Sequence, residues 1–81
     1  DPEMKEKKAM VEQIVKAVDS RLTIHDFRLV HGGGVTKLLF DVVMPFEMKM
    51  GEEELKKQVQ DQVCETMPCC CAIIQIDHSY V

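Results

Sequence analysis

In the run Val35-Thr36-Lys37-Leu38-Leu39-Phe40-Asp41-Val42-Val43-Met44-Pro45, one parity is apolar from Leu38 onward: Leu38, Phe40, Val42 and Met44. Lys37, Leu39, Asp41 and Val43 take the other parity. A two-residue period of this kind belongs to a strand with one face on a core and the other half open. Immediately upstream, His31-Gly32-Gly33-Gly34 supplies glycines, which enter positive φ without steric cost, so a hairpin turn precedes the strand. Before that turn, Leu22 to Val30 carries Leu, Thr, Ile, Phe, Leu and Val in extended style and reads as the partner strand.

The flanking segments change period. From Glu3 to Asp19, Met10, Val11, Ile14, Val15 and Val18 form the apolar stripe of an amphipathic helix. Pro2 suits its first turn, and Glu3 complements the positive end of its dipole. Downstream, Phe46 to Met50 is a connector, and Gly51-Glu52-Glu53-Glu54 opens a second helix with the stripe Leu55, Val59 and Val63. Glu52–Lys56 and Glu53–Lys57 are spaced as i, i+4 ion pairs. Pro68 ends this helix near Met67. Cys71 to Tyr80 reads as a third strand, with Ala72, Ile74 and Ile76 on one side and Ile73, Gln75 and Asp77 on the other.

The order α-β-β-α-β predicts an α+β domain, a three-stranded sheet with two helices on one face. Its other face is then bare. Leu39, Val43 and Ile73 stand there beside Asp41, Gln75 and Asp77, which makes that face a candidate surface for homodimerisation.

Composition narrows the function. Eighty-one residues make one small domain, 1–81, and 46% hydrophobic with 30% charged residues is ordinary for a globular protein. Ten Lys+Arg against fourteen Asp+Glu give a net charge of −4, with no basic stripe, so nucleic-acid binding is not expected. No run of eighteen apolar residues and no signal-peptide pattern is visible. The four cysteines, at 64, 69, 70 and 71, are too close together for a disulfide framework and read as free thiols of a reducing compartment. The chain reads as a small, soluble, mildly acidic binding module.

His25, Asp41 and Asp77 each lie within a strand, and imidazole with carboxylates suits zinc or another divalent transition metal. Spacing alone favours the plainer reading, two solvated carboxylates and a surface or half-buried histidine. His25 shares parity with Phe27 and Leu29, which puts it on the core side unless the strand is bulged. Cys69 and Cys71 form a candidate soft pair with Cys64 a turn away; the other reading makes them small apolar residues of a buried strand. The glycines match no phosphate-binding pattern, there is no G-x-S-x-G nucleophile, and nothing orients a base. Enzymatic activity and a small-molecule substrate are not expected.

Ile24-His25-Asp26-Phe27-Arg28-Leu29, the glycine hairpin, Phe40-Asp41-Val42-Val43-Met44-Pro45, the Gly51–Met67 helix and Ile74-Gln75-Ile76-Asp77-His78 together resemble a known family. The chain is similar, over nearly its whole length, to the cytoplasmic C-terminal domain of cation diffusion facilitator transporters, which export divalent metals. The resemblance rests on the order and spacing of its runs. It implies a ferredoxin-like, metallochaperone-like fold, and a piece of a longer transporter whose membrane portion belongs to the same polypeptide. It further implies a location on the cytoplasmic side of the cell membrane, homodimerisation, and metal sensing that regulates transport.

By position, His25 matches the strand-one histidine ligand and Asp77 the acidic ligand of the closing strand. Asp41 falls where many members have a histidine, and Glu53 where some have a further one. Gln75 replaces the closing-strand histidine, with His78 compensating. The implied donor set is rich in oxygen, with zinc the first candidate and iron or manganese open. The dimer face would hold Leu39, Val43, Ile73 and Gln75. Two alternatives remain: a free metallochaperone, whose C-x-x-C after strand one is missing here, and a metal-independent ferredoxin-like dimerisation or partner-binding module.

Overall fold

The first helix, α1 (Pro2–Val18), begins where the Asp1 carboxylate accepts the Glu3 backbone N–H at 3.0 Å. The computed structural model describes residues 1–80. Val11 and Val15 are the buried part of the α1 stripe, and Met10, Ile14 and Val18 pack beside them. The helix stops at Asp19, whose backbone is extended. There the Arg21 side chain donates to both Asp19 carboxylate oxygens, at 3.0 and 2.8 Å, and the Arg21 backbone N–H adds a third bond at 2.9 Å. Those donors favour the ionised form and hold the Asp19 carboxyl at about 2.

Strands β1 (Thr23–Gly32) and β2 (Val35–Pro45) form the antiparallel hairpin. Both strands run up to a two-residue turn, so His31 and Gly32 belong to β1 and are not part of the turn. Gly33 and Gly34 carry the turn at φ 62° and 79°, the two successive positive values that a tight, strand-compatible hairpin requires. Helix α2 (Glu52–Thr66) then leads to β3 (Cys70–Ser79), which pairs parallel to β2 and completes the order β1-β2-β3. Parallel neighbours need a crossover, and α2 is that crossover. The element order and the layering match the α+β, ferredoxin-like expectation.

Both helices cover one face of the sheet. Leu38, Phe40, Val42 and Met44 from β2 are buried there against Val11 and Val15 of α1 and Leu55, Val59 and Val63 of α2. Ala72 and Ile74 of β3 complete this layer, with Cys70 beside them.

β1 departs from simple alternation. Ile24 is buried on the helix side, yet two positions of odd number, Phe27 and Leu29, also pack against the core. The register jumps from His25↔Asp41 to Arg28↔Leu39, so Asp26 and Phe27 together stand opposite Phe40. This is a β-bulge, and Asp26 absorbs it at φ 55°. Aspartate enters that left-handed region more readily than most residues. The bulge swings Phe27 onto Phe40, with ring centroids 6.0 Å apart and planes 26° from parallel.

Candidate metal and pairing face

The uncovered face of the sheet is laid out in three rows by strand register. Arg28, Leu39 and Ile73 make one row, His25, Asp41 and Gln75 the next, and Thr23, Val43 and Asp77 the third. The bulge decides how this face is populated. With uninterrupted alternation His25 would share the core side with Phe27 and Leu29; with the extra residue it stands directly opposite Asp41 on the open side. Directly opposed residues in an antiparallel pair have Cβ atoms about 5 Å apart, within reach of one shared ion. Ile73 is 46% exposed, and Leu39 and Val43 are half-buried, so apolar surface adjoins the charged row.

Asp41 carries the electrostatic signature of this face. Partial desolvation on the sheet raises its pKa above the ordinary 3.8, and a hydrogen bond with the Asp26 carboxyl and the charges of Asp77 and Asp26 push the same way. Arg28 opposes them. Asp26, Arg28, Asp41 and Gln75 line one shallow, mostly polar cleft, together with Phe27. Neither Asp26 nor Arg28 is among the candidates the sequence singles out. The signal for them is the parity change from Ile24 to Phe27 and Leu29, which demands one extra residue between.

The sign of the Asp41 effect gives a test. Folded Asp41 holds its proton to higher pH than unfolded Asp41, so its ionised form disfavours the fold. That penalty is fully present above the folded-state pKa and disappears as pH falls below the unfolded value, near 3.8. Asp41→Asn is therefore expected to raise the melting temperature at pH 7, with the advantage closing as pH approaches 3.8. Thermal scans of both proteins across pH 3 to 8 check this; a loss of stability at pH 7 would contradict it.

The other candidate ligands lie elsewhere. His78 pairs in register with buried Met44 and so faces the helix side. There it hydrogen-bonds the Glu52 carboxylate and tilts against Tyr80. Glu52 is thereby drawn off the i, i+4 pair expected with Lys56. Lys56 instead meets Glu53 at 3.7 Å, and Lys57 meets Asp61 at 2.7 Å. Glu53 is exposed in the first turn of α2. The sheet thus lies between Glu53 and His78 on one side and His25, Asp41 and Asp77 on the other.

The cysteines divide as well. Cys70 is a core residue, Cys71 is half-buried, and Cys64 and Cys69 are exposed. Among the described residues no three His, Cys, Asp or Glu side chains converge as a metal-holding group. A divalent cation on the open face would find a histidine–carboxylate pair in His25 and Asp41, with Asp77 in the adjoining row. The donor types fit such an ion, and water or a second copy would have to complete its coordination.

No family model and no curated protein matches the sequence. Two solved structures of CzrB, described as a proposed zinc transporter, share the fold. The first superposes with a TM-score of 0.72 at 18% identity, covering 93% of this chain and 95% of that one. The second, described as the Zn form, gives 0.71 at 18% identity, covering 91% and 86%. Among the described residues no helix is long and apolar enough to cross a membrane.

Proposed function

We propose that this chain is the cytoplasmic C-terminal domain of a divalent-cation efflux transporter of the cation diffusion facilitator family, pairing two copies and sensing cytosolic metal. The reading starts from a fold shared with a proposed zinc transporter and from the family resemblance of the strand sequences. The observation that carries it is the open sheet face. The Asp41 carboxyl, whose ionisation desolvation and its acidic neighbours disfavour, sits there beside Leu39, Val43 and Ile73, apolar residues that the chain leaves uncovered. The transport helices belong to the rest of the same polypeptide, and the domain catalyses no reaction.

Two copies meeting through this face bring two sets of Asp26, Asp41 and Asp77 together. The like charges oppose closure and hold the empty pair apart. A divalent cation supplies positive charge that cancels this repulsion, so binding and closure favour each other. His25 and Asp41 offer the opposed donors, Asp77 adds a carboxylate from the next row, and Arg28 tempers the negative field. Each ligand set can bias the equilibrium only by its differential affinity for the closed state.

Calorimetric titration of Zn²⁺ into the reduced, metal-free chain, with light scattering on the same sample, tests the reading. The expected result is saturable heat on a dimeric species, weakened at least tenfold in Asp41→Ala and in Asp77→Ala. A monomer indifferent to zinc would sink the proposal. A second reading, metal-independent pairing, is favoured by the lack of three convergent donors among the described residues. It calls for the same dimer with no heat.

A further inference from the structure

We propose that the free edge of β3, from Ile74 to His78, is a docking site for an extended basic segment of a partner protein, which adds to the sheet as a fourth strand. The sheet order β1-β2-β3 leaves two outer edges. On β3 the odd-numbered residues turn their backbone groups toward β2. The Cys69 carbonyl accepts the Thr36 N–H at 2.9 Å, and the Ser79 carbonyl accepts the Phe46 N–H at 3.0 Å. Successive residues of a strand direct their N–H and C=O to opposite sides, so Cys70, Ala72, Ile74, Ile76 and His78 present theirs outward.

The first part of this edge is occupied from within the chain. The Cys70 N–H donates to the Met67 carbonyl at 2.9 Å, the Cys64 thiol reaches the Cys70 carbonyl, and Gln60 Nε2 donates to the Ala72 carbonyl at 3.3 Å. Beyond Ala72 the same flank of α2 turns to side chains instead: Lys56 meets Glu53, and Glu52 meets the His78 ring. Among the described residues no hydrogen bond satisfies the outward backbone groups of Ile74, Ile76 and His78. They leave about 13 Å of open strand edge.

Sheets commonly blunt an edge with a bulge, a proline or a lysine on the strand. The edge of β1 is blunted in this way, because the bulge at Asp26, with φ 55°, interrupts it. Ile74-Gln75-Ile76-Asp77-His78 carries none of these devices, and its register with β2 is unbroken. An uninterrupted row of free donors and acceptors is the template that strand addition uses.

Charge selects the occupant. Side chains of an added strand stand beside Gln75 and Asp77 on the open face, and beside Ile76 and His78 on the helix side. Asp77, Glu52 and Glu53 are exposed, and Lys56, the cation on this flank, is engaged by Glu53 at 3.7 Å. Self-pairing of two such edges brings the Asp77 and Glu52 carboxylates of both chains to one seam, which disfavours a second copy here. A segment with lysine or arginine at alternate positions meets Asp77 with one parity and rests apolar residues on half-buried Ile76 with the other. Past His78 the edge ends at exposed Tyr80, stacked on exposed Phe46 at 6.0 Å, an aromatic pair on which a further basic side chain can lie. Strand addition engages the lateral edge and leaves the His25–Asp41 pair uncovered, so the proposal stands apart from the metal reading.

The test titrates the end-blocked peptide Lys-Val-Lys-Val-Lys-Val-Lys into the reduced, metal-free, isotope-labelled chain and follows amide hydrogen exchange by NMR. At saturation, exchange at Ile74, Ile76 and His78 is expected to slow about tenfold, with the amides of β1 unchanged. A peptide with glutamate in place of lysine should give no protection. Neither should the lysine peptide with every backbone nitrogen methylated, which keeps the charge and loses the donors. Asp77→Lys is expected to weaken the titration about fivefold, with circular dichroism confirming that the variant is folded. Absence of saturable protection, or equal protection by the methylated peptide, would overturn the assignment. So would protection of the three amides that grows with chain concentration alone, which gives the edge to a second copy.

Discussion

Phe40→Ala is expected to lower the melting temperature by about 12–40 °C. The ring is 2% exposed at the centre of β2, between the two helices, and stacks on Phe27 from the bulge. Truncating a buried phenylalanine costs about 3–5 kcal/mol in lost transfer energy and cavity. A chain of 81 residues has a total stability of only about 4–12 kcal/mol, so one side chain carries a large share of it. In a domain of this size each kcal/mol shifts the midpoint by about 4–8 °C, which gives the range stated. The bulge makes the cost larger, because Phe27 loses the ring that fixes its place. Thermal unfolding followed by circular dichroism checks the shift. A change under about 8 °C would mean that Phe27 and the helices collapse into the space.

Ile73→Glu is expected to weaken self-association at least about 100-fold, or about 2.7 kcal/mol. The residue is 46% exposed on the open face, in the row with Leu39 and Arg28, so the isolated fold should tolerate the change. In a two-fold pair the substitution acts twice, and each new carboxylate enters a surface already carrying Asp41 and Asp77. The added charge must be desolvated on closure without a partner, which costs far more than the lost apolar area. Sedimentation equilibrium of both proteins, with melting curves to confirm equal folding, measures the effect. Unchanged association would move the pairing surface away from this face and remove the support it gives to the proposed function.

The element order, the strand parities of β2 and β3 and the core stripes of both helices are legible because they rest on local periods. Leu38 through Met44 alternate whatever surrounds them, and Val11 with Val15 fall on one side of any α-helix. The hairpin is legible for the same reason, since Gly33-Gly34 answers a backbone requirement within the turn itself. The bare sheet face follows once both helices are assigned to the other side.

The placement of the candidate site residues is less local. Whether His25 faces core or solvent depends on one extra residue in β1, and the energy that selects the bulge comes from Phe27 meeting Phe40 across the sheet. Asp26 gains a role only because that bulge turns its carboxyl toward Asp41. The expected Glu52–Lys56 pair gives way to Glu52–His78, because parallel β2–β3 pairing brings the end of β3 beside the start of α2. The same crossover divides four thiols within eight positions into one core residue and three with access to the surface. Sequence by itself determined the elements, the faces they bury and the face they leave open, since short-range geometry controls these. Only the tertiary structure decided which polar residues share the open face, because register across strands depends on packing between residues far apart in the chain.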